Sequence, residues 1–368
     1  YTKGESAYTL EIIPIFNYPL TVMKLDWSNA PKPIIALSPM ADMTDQAFCR
    51  TVRAISDSKD LIVFREMVSS EAVVRGNDKT LNMTAIHPEE RPIVQQLFGS
   101  DPDTMAEAAR IIEKEHAPEG FDINMGCPVY KVVHNFNGAA LMKNPELASE
   151  IIRKVKAAIT VPLSVKIRAG WDDPKECLEF GKVIEAAGAD LITIHGRTKK
   201  QGYSGTCDWD LIREFKKTVS IPVLANGDIH TPPLTLDALK QTECDGVLIA
   251  RGALGNPWIF SQIDDLLAGR KPKQITLKER IRVVKMHLDF HVEQYGEKGV
   301  RTFRKHLSWY FRGIHGAKPY KNRLHITDSV EEVHAILGEM LVDGLKDDGL
   351  ADRDAAHPQA KERVFMKK

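Results

Sequence analysis

Cys127 stands between a glycine and a proline, in the run Asn124-Met125-Gly126-Cys127-Pro128 just past an apolar stretch. A cysteine used only for packing belongs within a helix or strand. One in a loop offers a thiol that can donate a proton near neutral pH or act as a nucleophile, and its position leaves both open. Lys166 and Arg168 alternate with Ser164 on one face of another apolar run. Lysine cannot be enclosed without compensation, so it calls for either a partnered ion pair or an anionic, polarisable ring. His195-Gly196-Arg197 ends a third run, Asn226-Gly227-Asp228 a fourth and Arg251-Gly252 follows a fifth. The last two suit a phosphate, because glycines let main-chain N–H groups approach an anion beside a cation. Taken singly each is also an ordinary tight turn.

These residues need elements that bring them to one place. Eight apolar runs read as strands: Ile34–Ser38, Leu61–Glu66, Pro92–Phe98, Phe121–Asn124, Pro162–Arg168, Leu191–His195, Pro222–Asn226 and Gly246–Ala250. Most lack polar alternation, as expected of parallel strands covered on both faces. Helical periodicity separates them. Asn144-Pro145, for example, supplies an N-cap and first-turn proline before Leu147, Ile151 and Val155 on one face. Eight strand–helix units over about 240 residues predict a (β/α)8 barrel, whose active site lies at the C-terminal strand ends. An open doubly wound sheet is the competing arrangement.

After Pro257 the pattern becomes purely helical. The expected organisation is a tag or disordered extension over 1–22, a catalytic barrel over 23–268, a helical domain over 274–346 and a flexible tail over 347–368. The helical part carries eight Lys/Arg and no acid between Lys298 and Thr327, with Phe303, Trp309, Tyr310, Phe311 and Tyr320 interleaved. That composition suits a nucleic-acid backbone and unstacked bases, or a solvated basic face over an aromatic core. The whole chain of 368 residues balances 50 Lys+Arg against 50 Asp+Glu, which excludes a uniformly basic binder. At 43% apolar and 27% charged it is not a disordered chain. Five dispersed cysteines with no CxxC argue against a disulfide scaffold and a zinc site, so no metal is expected and a reducing cytoplasm fits. No run is long enough to span a membrane.

The segments SPMADMTDQAFCR, EMVSS, QLFGSDP, DINMGCPVYKVVHNFNGAALM, VKIRAGWDD, ITIHGRTKKQGYSG, IPVLANGDI, LIARGALGNPWIF and RKHLSWYF resemble the tRNA-dihydrouridine synthases, within them the bacterial B-type branch. The resemblance runs from about Ile34 to Leu337. It implies an FMN-binding barrel with an RNA-cradling helical domain, which reduces the C5=C6 bond of uridine in the tRNA D-loop with NADPH as reductant. Hydride would pass from flavin N5 to uracil C6 and a proton from Cys127 to C5. By the same resemblance Pro39, Met40, Gln96, Lys166 and His195 line the flavin, and Asn226, Gly227, Asp228, Arg251 and Gly252 hold its phosphate. Asn124, Lys131, Arg168 and Arg197 would surround the target base, and Lys305 and His306 would face RNA. Ser38, Asp42 and Ala250 depart from the family pattern without removing a reactive group. The expected assembly is a monomer. Two other readings share the flavin residues: a barrel reducing a free pyrimidine, which has no use for the basic span, and an RNA-binding protein without turnover, which has no use for Cys127.

Overall fold

The computed structural model describes residues 25–56, 58 and 60–345. The expectations for 1–22 and 347–368 lie outside them. Eight parallel strands close into a barrel in sequential order: β1 (Ile34–Leu37), β2 (Ile62–Ser69), β3 (Ile93–Phe98), β4 (Gly120–Met125), β5 (Leu163–Arg168), β6 (Leu191–His195), β7 (Val223–Asn226) and β8 (Gly246–Ile249). Pairing of β1 with β8, Ile34 opposite Gly246, completes the ring and excludes the open sheet. A Cβ on Gly246 would fall 2.1 Å from the Ile34 carbonyl oxygen, so this seam admits only glycine. One strand differs from expectation. β2 continues to Ser69 through a register irregularity between Arg65 and Val68.

The outer ring follows the strands in order. It comprises α1 (Gln46–Ile55), α2 (Ser70–Val74), α3 (Asp78–Thr84), α4 (Pro102–His116), α5 (Tyr130–Val133), α6 (Pro145–Ala158), α7 (Glu176–Ala186), α8 (Trp209–Lys216), α9 (Pro232–Thr242) and α10 (Ile259–Leu267). Their starts are fixed locally. The side chains of Asp45, Asp101, Asn144, Asp208 and Thr231 each accept an N–H of the following first turn.

Side-chain alternation sorts the barrel interior into two layers. Ile34, Ala36, Ile62, Phe64, Val94, Leu191, Leu224 and Leu248 form an apolar lower layer, stoppered by Trp27 stacked 6.1 Å from Phe64. Two residues further along the same faces come Ser38, Glu66, Gln96 and Asn226, and four beyond Leu191 comes His195. Polar groups are therefore gathered at the C-terminal mouth, where no apolar partner remains.

Four helices complete the described chain: α11 (Leu277–Tyr295), α12 (Gly299–Tyr310), α13 (Lys318–Leu324) and α14 (Val330–Val342). Their core includes Phe303, Tyr310, Phe311, Leu324 and Leu337, all with essentially no exposed surface, while Tyr320 packs at its edge. Trp309 packs instead against the barrel. The interleaved aromatics are thus mainly core, the alternative that composition had left open. A unit this small needs such large residues to bury enough apolar area. No helix among the described residues is long and apolar enough to cross a membrane.

The helical unit is seated tightly on the barrel. α11 packs on α1, and Arg50 pairs with Glu89 and Glu293 while lying 4.0 Å from the Phe290 ring centroid. Gly255, at φ +65°, approaches the Trp309 main chain so closely that a Cβ there would meet its carbonyl carbon at 2.3 Å. Gly255→Ala is expected to force these backbones apart at a cost of about 3 kcal/mol, with an added left-handed penalty. Urea unfolding followed by circular dichroism should show a clearly lowered midpoint, and an unchanged midpoint would refute the close approach.

Candidate active site

A polar chain crosses the barrel mouth from β5 to the Cys127 loop. Ser164 Oγ donates to Asp122 Oδ1 at 2.7 Å, and Gln96 Nε2 donates to Asp122 Oδ2 at 2.5 Å. Asn124 Nδ2 donates to Gln96 Oε1 at 2.9 Å. Asn124 Oδ1 then accepts the N–H groups of Gly126, at 3.1 Å, and Cys127, at 2.9 Å. Asn124 therefore holds the loop, and its amide is committed to that task. Below the loop, the Ala139 N–H donates to the Cys127 carbonyl at 3.1 Å. Gly138, at φ +60°, leaves no room for a Cβ, which would lie 2.9 Å from that same oxygen. Burial raises the Cys127 thiol above its ordinary pKa, and Arg168 and Lys166 pull it back only in part. Cys127 is thus a neutral S–H at pH 7, half-buried at the mouth.

Cations stand on β5, the strand beside the Cys127 loop. Lys166 rises from β5 into the barrel. Burial first, then the neighbouring Arg168, lowers it to about 8, while Asp122 acts in the other direction. Among the described residues no side chain or carbonyl bonds its Nζ. Arg168 is engaged by carbonyls: Nε donates to Gly126 at 2.8 Å, and Nη1 to Thr198 and Gly202 at 3.1 and 2.8 Å. It is a buttress of the Cys127 loop, with its face 5.5 Å from the Tyr203 centroid. Burial and then Arg168, Lys166 and Arg197 hold His195 well below its usual range, so its imidazole is neutral.

The loops after β7 and β8 form a cradle. A Cβ on Gly227 would lie 2.6 Å from Cys207 Sγ, and one on Gly252 would lie 2.7 Å from the Ile229 carbonyl oxygen. Among the described residues no acceptor meets the N–H groups of Gly227, Asp228 and Gly252. Asp228 itself, at φ 56°, turns its carboxylate away to Arg197. Nη1 and Nη2 of Arg197 donate to Oδ1 and Oδ2 at 2.9 and 2.6 Å, and the Cys207 N–H donates to Oδ2 at 2.8 Å. Burial alone would raise this carboxyl, but His230, Arg197 and the Cys207 N–H together hold it well below the carboxylate range. A phosphate here would meet main-chain N–H groups and the Arg251 guanidinium, whose Nη2 lies 3.5 Å from Asp228 Oδ1. Asn226 Nδ2 donates to the Leu248 carbonyl at 2.6 Å and fixes the strand ends.

The structure thus brings Pro39, Met40, Gln96, Asn124, Cys127, Lys166, Arg168, His195, Asn226, Gly227, Asp228, Arg251 and Gly252 around one mouth. Lys131 stands exposed on α5 beside it, near Tyr130 and Phe136. Two expectations need correction. Arg197 does not face a base: it has no exposed surface and is spent on Asp228 and the carbonyls of Ser204 and Gly205. His306 does not face solvent or RNA: it is 1% exposed, inside the joint between barrel and helices. Lys305 is partly exposed and lies 3.9 Å from the Asp45 carboxylate. Sequence reading also missed Glu66, two residues past Phe64 on the inward face. Its Oε2 accepts the Asp42 N–H at 2.7 Å, and burial, with Asp45 nearby, raises it to about 7. That bond accounts for Asp42, whose left-handed φ of 61° is one that Asp tolerates.

A family model described as "Dihydrouridine synthase (Dus)" matches residues 35–343, most of the chain and every element just described. The chain belongs to the dihydrouridine synthase family. It is 38% identical over 308 residues to the "tRNA-dihydrouridine synthase B" of Pasteurella multocida, covering 83% of this chain and 92% of that protein. It is also 38% identical over 296 residues to the "Probable tRNA-dihydrouridine synthase" of Rickettsia conorii, covering 79% of this chain and 88% of that one. Among solved structures, a 2-naphthoyl-CoA reductase complex superposes with TM-score 0.50 at 12% identity, over 64% of this chain and 50% of that one. This last likeness is one of fold alone.

Arg197→Met is expected to leave the Asp228 carboxylate without its main partner, costing about 3 kcal/mol of stability. Adding Asp228→Asn should recover much of that. A double variant no more stable than the single one, by thermal unfolding, would show that the two side chains are not coupled.

Proposed function

We propose that this protein is a flavin-dependent tRNA-dihydrouridine synthase that reduces the C5=C6 bond of a tRNA D-loop uridine, with FMN as its flavin and NADPH as reductant. The observation that carries this reading is Cys127: a neutral thiol, held on a loop built for it, beside the positive charge of Lys166 and Arg168. The residues present fit FMN. The N–H groups of Gly227, Asp228 and Gly252, with Arg251, would hold its phosphate. Lys166, His195, Gln96, Pro39 and Met40 would border its ring and ribityl chain, and Lys166 would gain the anion it lacks. When bound, FMN supplies the hydride for uracil C6.

The chain's own residues do the rest. Cys127 holds the proton destined for C5, and burial keeps it on sulfur until carbanion character develops there. A positioned general acid contributes ~10²–10⁴-fold, about 3–5 kcal/mol of barrier. Lys166 and Arg168 place fixed positive potential beside the negative charge that spreads toward O4. Neutral His195 adds no further repulsion to that cluster. The target base must leave its stack, at a few kcal/mol. Contacts elsewhere on the tRNA would offset this cost. Among the described residues Arg301 and Arg304 pair with Asp328, and Arg323 with Glu339. Among the described residues no acid pairs with Lys298, Lys318 or Lys321, which leaves these cations to phosphates.

The test is an assay for dihydrouridine on unmodified tRNA with NADPH. Cys127→Ala is expected to bind FMN and tRNA as the parent does while turnover falls at least ~10²-fold. Near-parental turnover would sink the acid assignment. Activity on free uracil with none on tRNA would favour a small-molecule reductase. The pair Lys318→Glu and Lys321→Glu should weaken tRNA binding at least roughly tenfold and flatten its salt dependence. The rate of flavin reduction by NADPH should not change. Unaltered tRNA affinity would move the RNA-binding face elsewhere.

A further inference from the structure

Asp45, His287, His291 and His306 meet where the helical unit sits on the barrel. Asp45 is the N-cap of α1, His287 and His291 lie one turn apart on α11, and His306 lies on α12. All four are buried, none more than 1% exposed. One ligand-type atom from each lies within 4.8 Å of every other. Three imidazoles and a carboxylate are a large investment of polar groups in an interior with no water-facing side.

Their hydrogen bonding is one-sided. His291 Nε2 lies 2.8 Å from Thr302 Oγ1, whose own proton goes to the Gly299 carbonyl at 3.0 Å. Thr302 therefore accepts, Nε2 carries the hydrogen, and Nδ1 is a bare lone pair. That lone pair has no hydrogen bond and points at Asp45 Oδ2, 3.5 Å away. His287 Nδ1 is 3.0 Å from the Tyr310 hydroxyl, which leaves Nε2 unpartnered. His306 Nε2 is unpartnered as well. The two α11 histidines are thus oriented from behind by hydroxyl groups, with their free nitrogens turned inward. Metal-ligating histidines are held in this way.

We propose that Asp45, His287, His291 and His306 form a structural site for a divalent late first-row transition metal, zinc above all, that fastens the helical domain to the barrel. Neutral imidazoles and one carboxylate are zinc's borderline donors, and four protein ligands make a closed structural site. Tetrahedral zinc separates its ligand atoms by about 3.3 Å, so the farthest pair would close by roughly 1.5 Å. Three elements contribute: the α1 N-cap, α11 and α12. Charge also has to be settled. Lys305 Nζ, 3.9 Å from Asp45, and the Tyr295 hydroxyl, 3.3 Å from Oδ2, face the same carboxylate, with Glu66 beyond. Lys305 is partly exposed and free to turn to solvent when the cation takes its place. Cysteine spacing could not reveal this site because no cysteine belongs to it.

The experiment uses the full chain, purified without a polyhistidine tag, incubated with zinc and gel-filtered. Elemental analysis is expected to find one zinc per chain. EDTA should lower the thermal unfolding midpoint and zinc should restore it. With cobalt in place of zinc, the visible bands of a four-coordinate site should appear without sulfur-to-metal charge transfer. His291→Gln and His306→Gln should each abolish retention. Failure to retain zinc, undiminished retention in both variants, or a sulfur charge-transfer band would overturn the proposal. Should the variants not fold, the parent's cobalt spectrum decides alone.

Discussion

Lys166 is the constraint around which the barrel mouth is arranged. A primary ammonium rises from the middle of β5 into an enclosure where the nearest acid, Asp122, is already shared between Ser164 and Gln96. Arg168 and Arg197 add two more guanidinium groups within the same rim. The protein neutralises only part of this charge. Arg197 is matched by Asp228, and Arg168 is dispersed over three carbonyls. His195 is held unprotonated. What is left over is a positive field with a glycine-lined cradle at one edge and a protonated thiol at the other. Every other feature of the site keeps that imbalance stable.

The interior layering explains how a folded chain tolerates it. Trp27, Phe64 and the leucines of β6, β7 and β8 fill the lower barrel with apolar volume. Stability is therefore concentrated at the end away from the chemistry. The mouth can carry strained and unsatisfied groups because it is not where the core is closed. The Cys127 loop is rigid for a different reason. It is bonded from within by Asn124 and Arg168 and propped from beneath by Gly138 and Ala139, so its thiol is aimed by main-chain geometry.

Much of this was legible in the residues because barrel strands are local objects. Eight apolar runs mark themselves, alternation groups Lys166 with Ser164, and position at a strand end singles out His195 and Asn226. What sequence could not give is pairing across the ring. Asp228 reads as a phosphate-loop residue until Arg197 is seen to hold it, and Arg197 reads as a substrate ligand until its exposure is seen to be nil. Glu66 closes the expected run of β2, but nothing in the sequence tells that its carboxylate turns back to the Asp42 N–H. The aromatic-and-basic span misled in part because one helical period can serve a core and a surface at once. Phe303, Tyr310 and Phe311 went inward, while Lys298, Arg301 and Lys318 of the same span stayed exposed. The histidines of α11 and α12 gave no signal because the fourth member of their cluster, Asp45, belongs to a distant part of the chain.

Gly255 carries one more consequence. With its α-carbon pressed on the Trp309 backbone, the joint between barrel and helical unit is at this point main chain against main chain, with no side chain between. A contact of this kind resists rotation of the helical unit, and so constrains the span from the Cys127 sulfur to the lysines of the helical face. For the reaction proposed here, the molecule works as a caliper. All uracils are chemically alike, so the one reached is the one lying at the set distance from whatever phosphates the helical face grips. Selection of a position in tRNA then becomes a matter of solid geometry, and a shift in that joint would change the address without touching the chemistry.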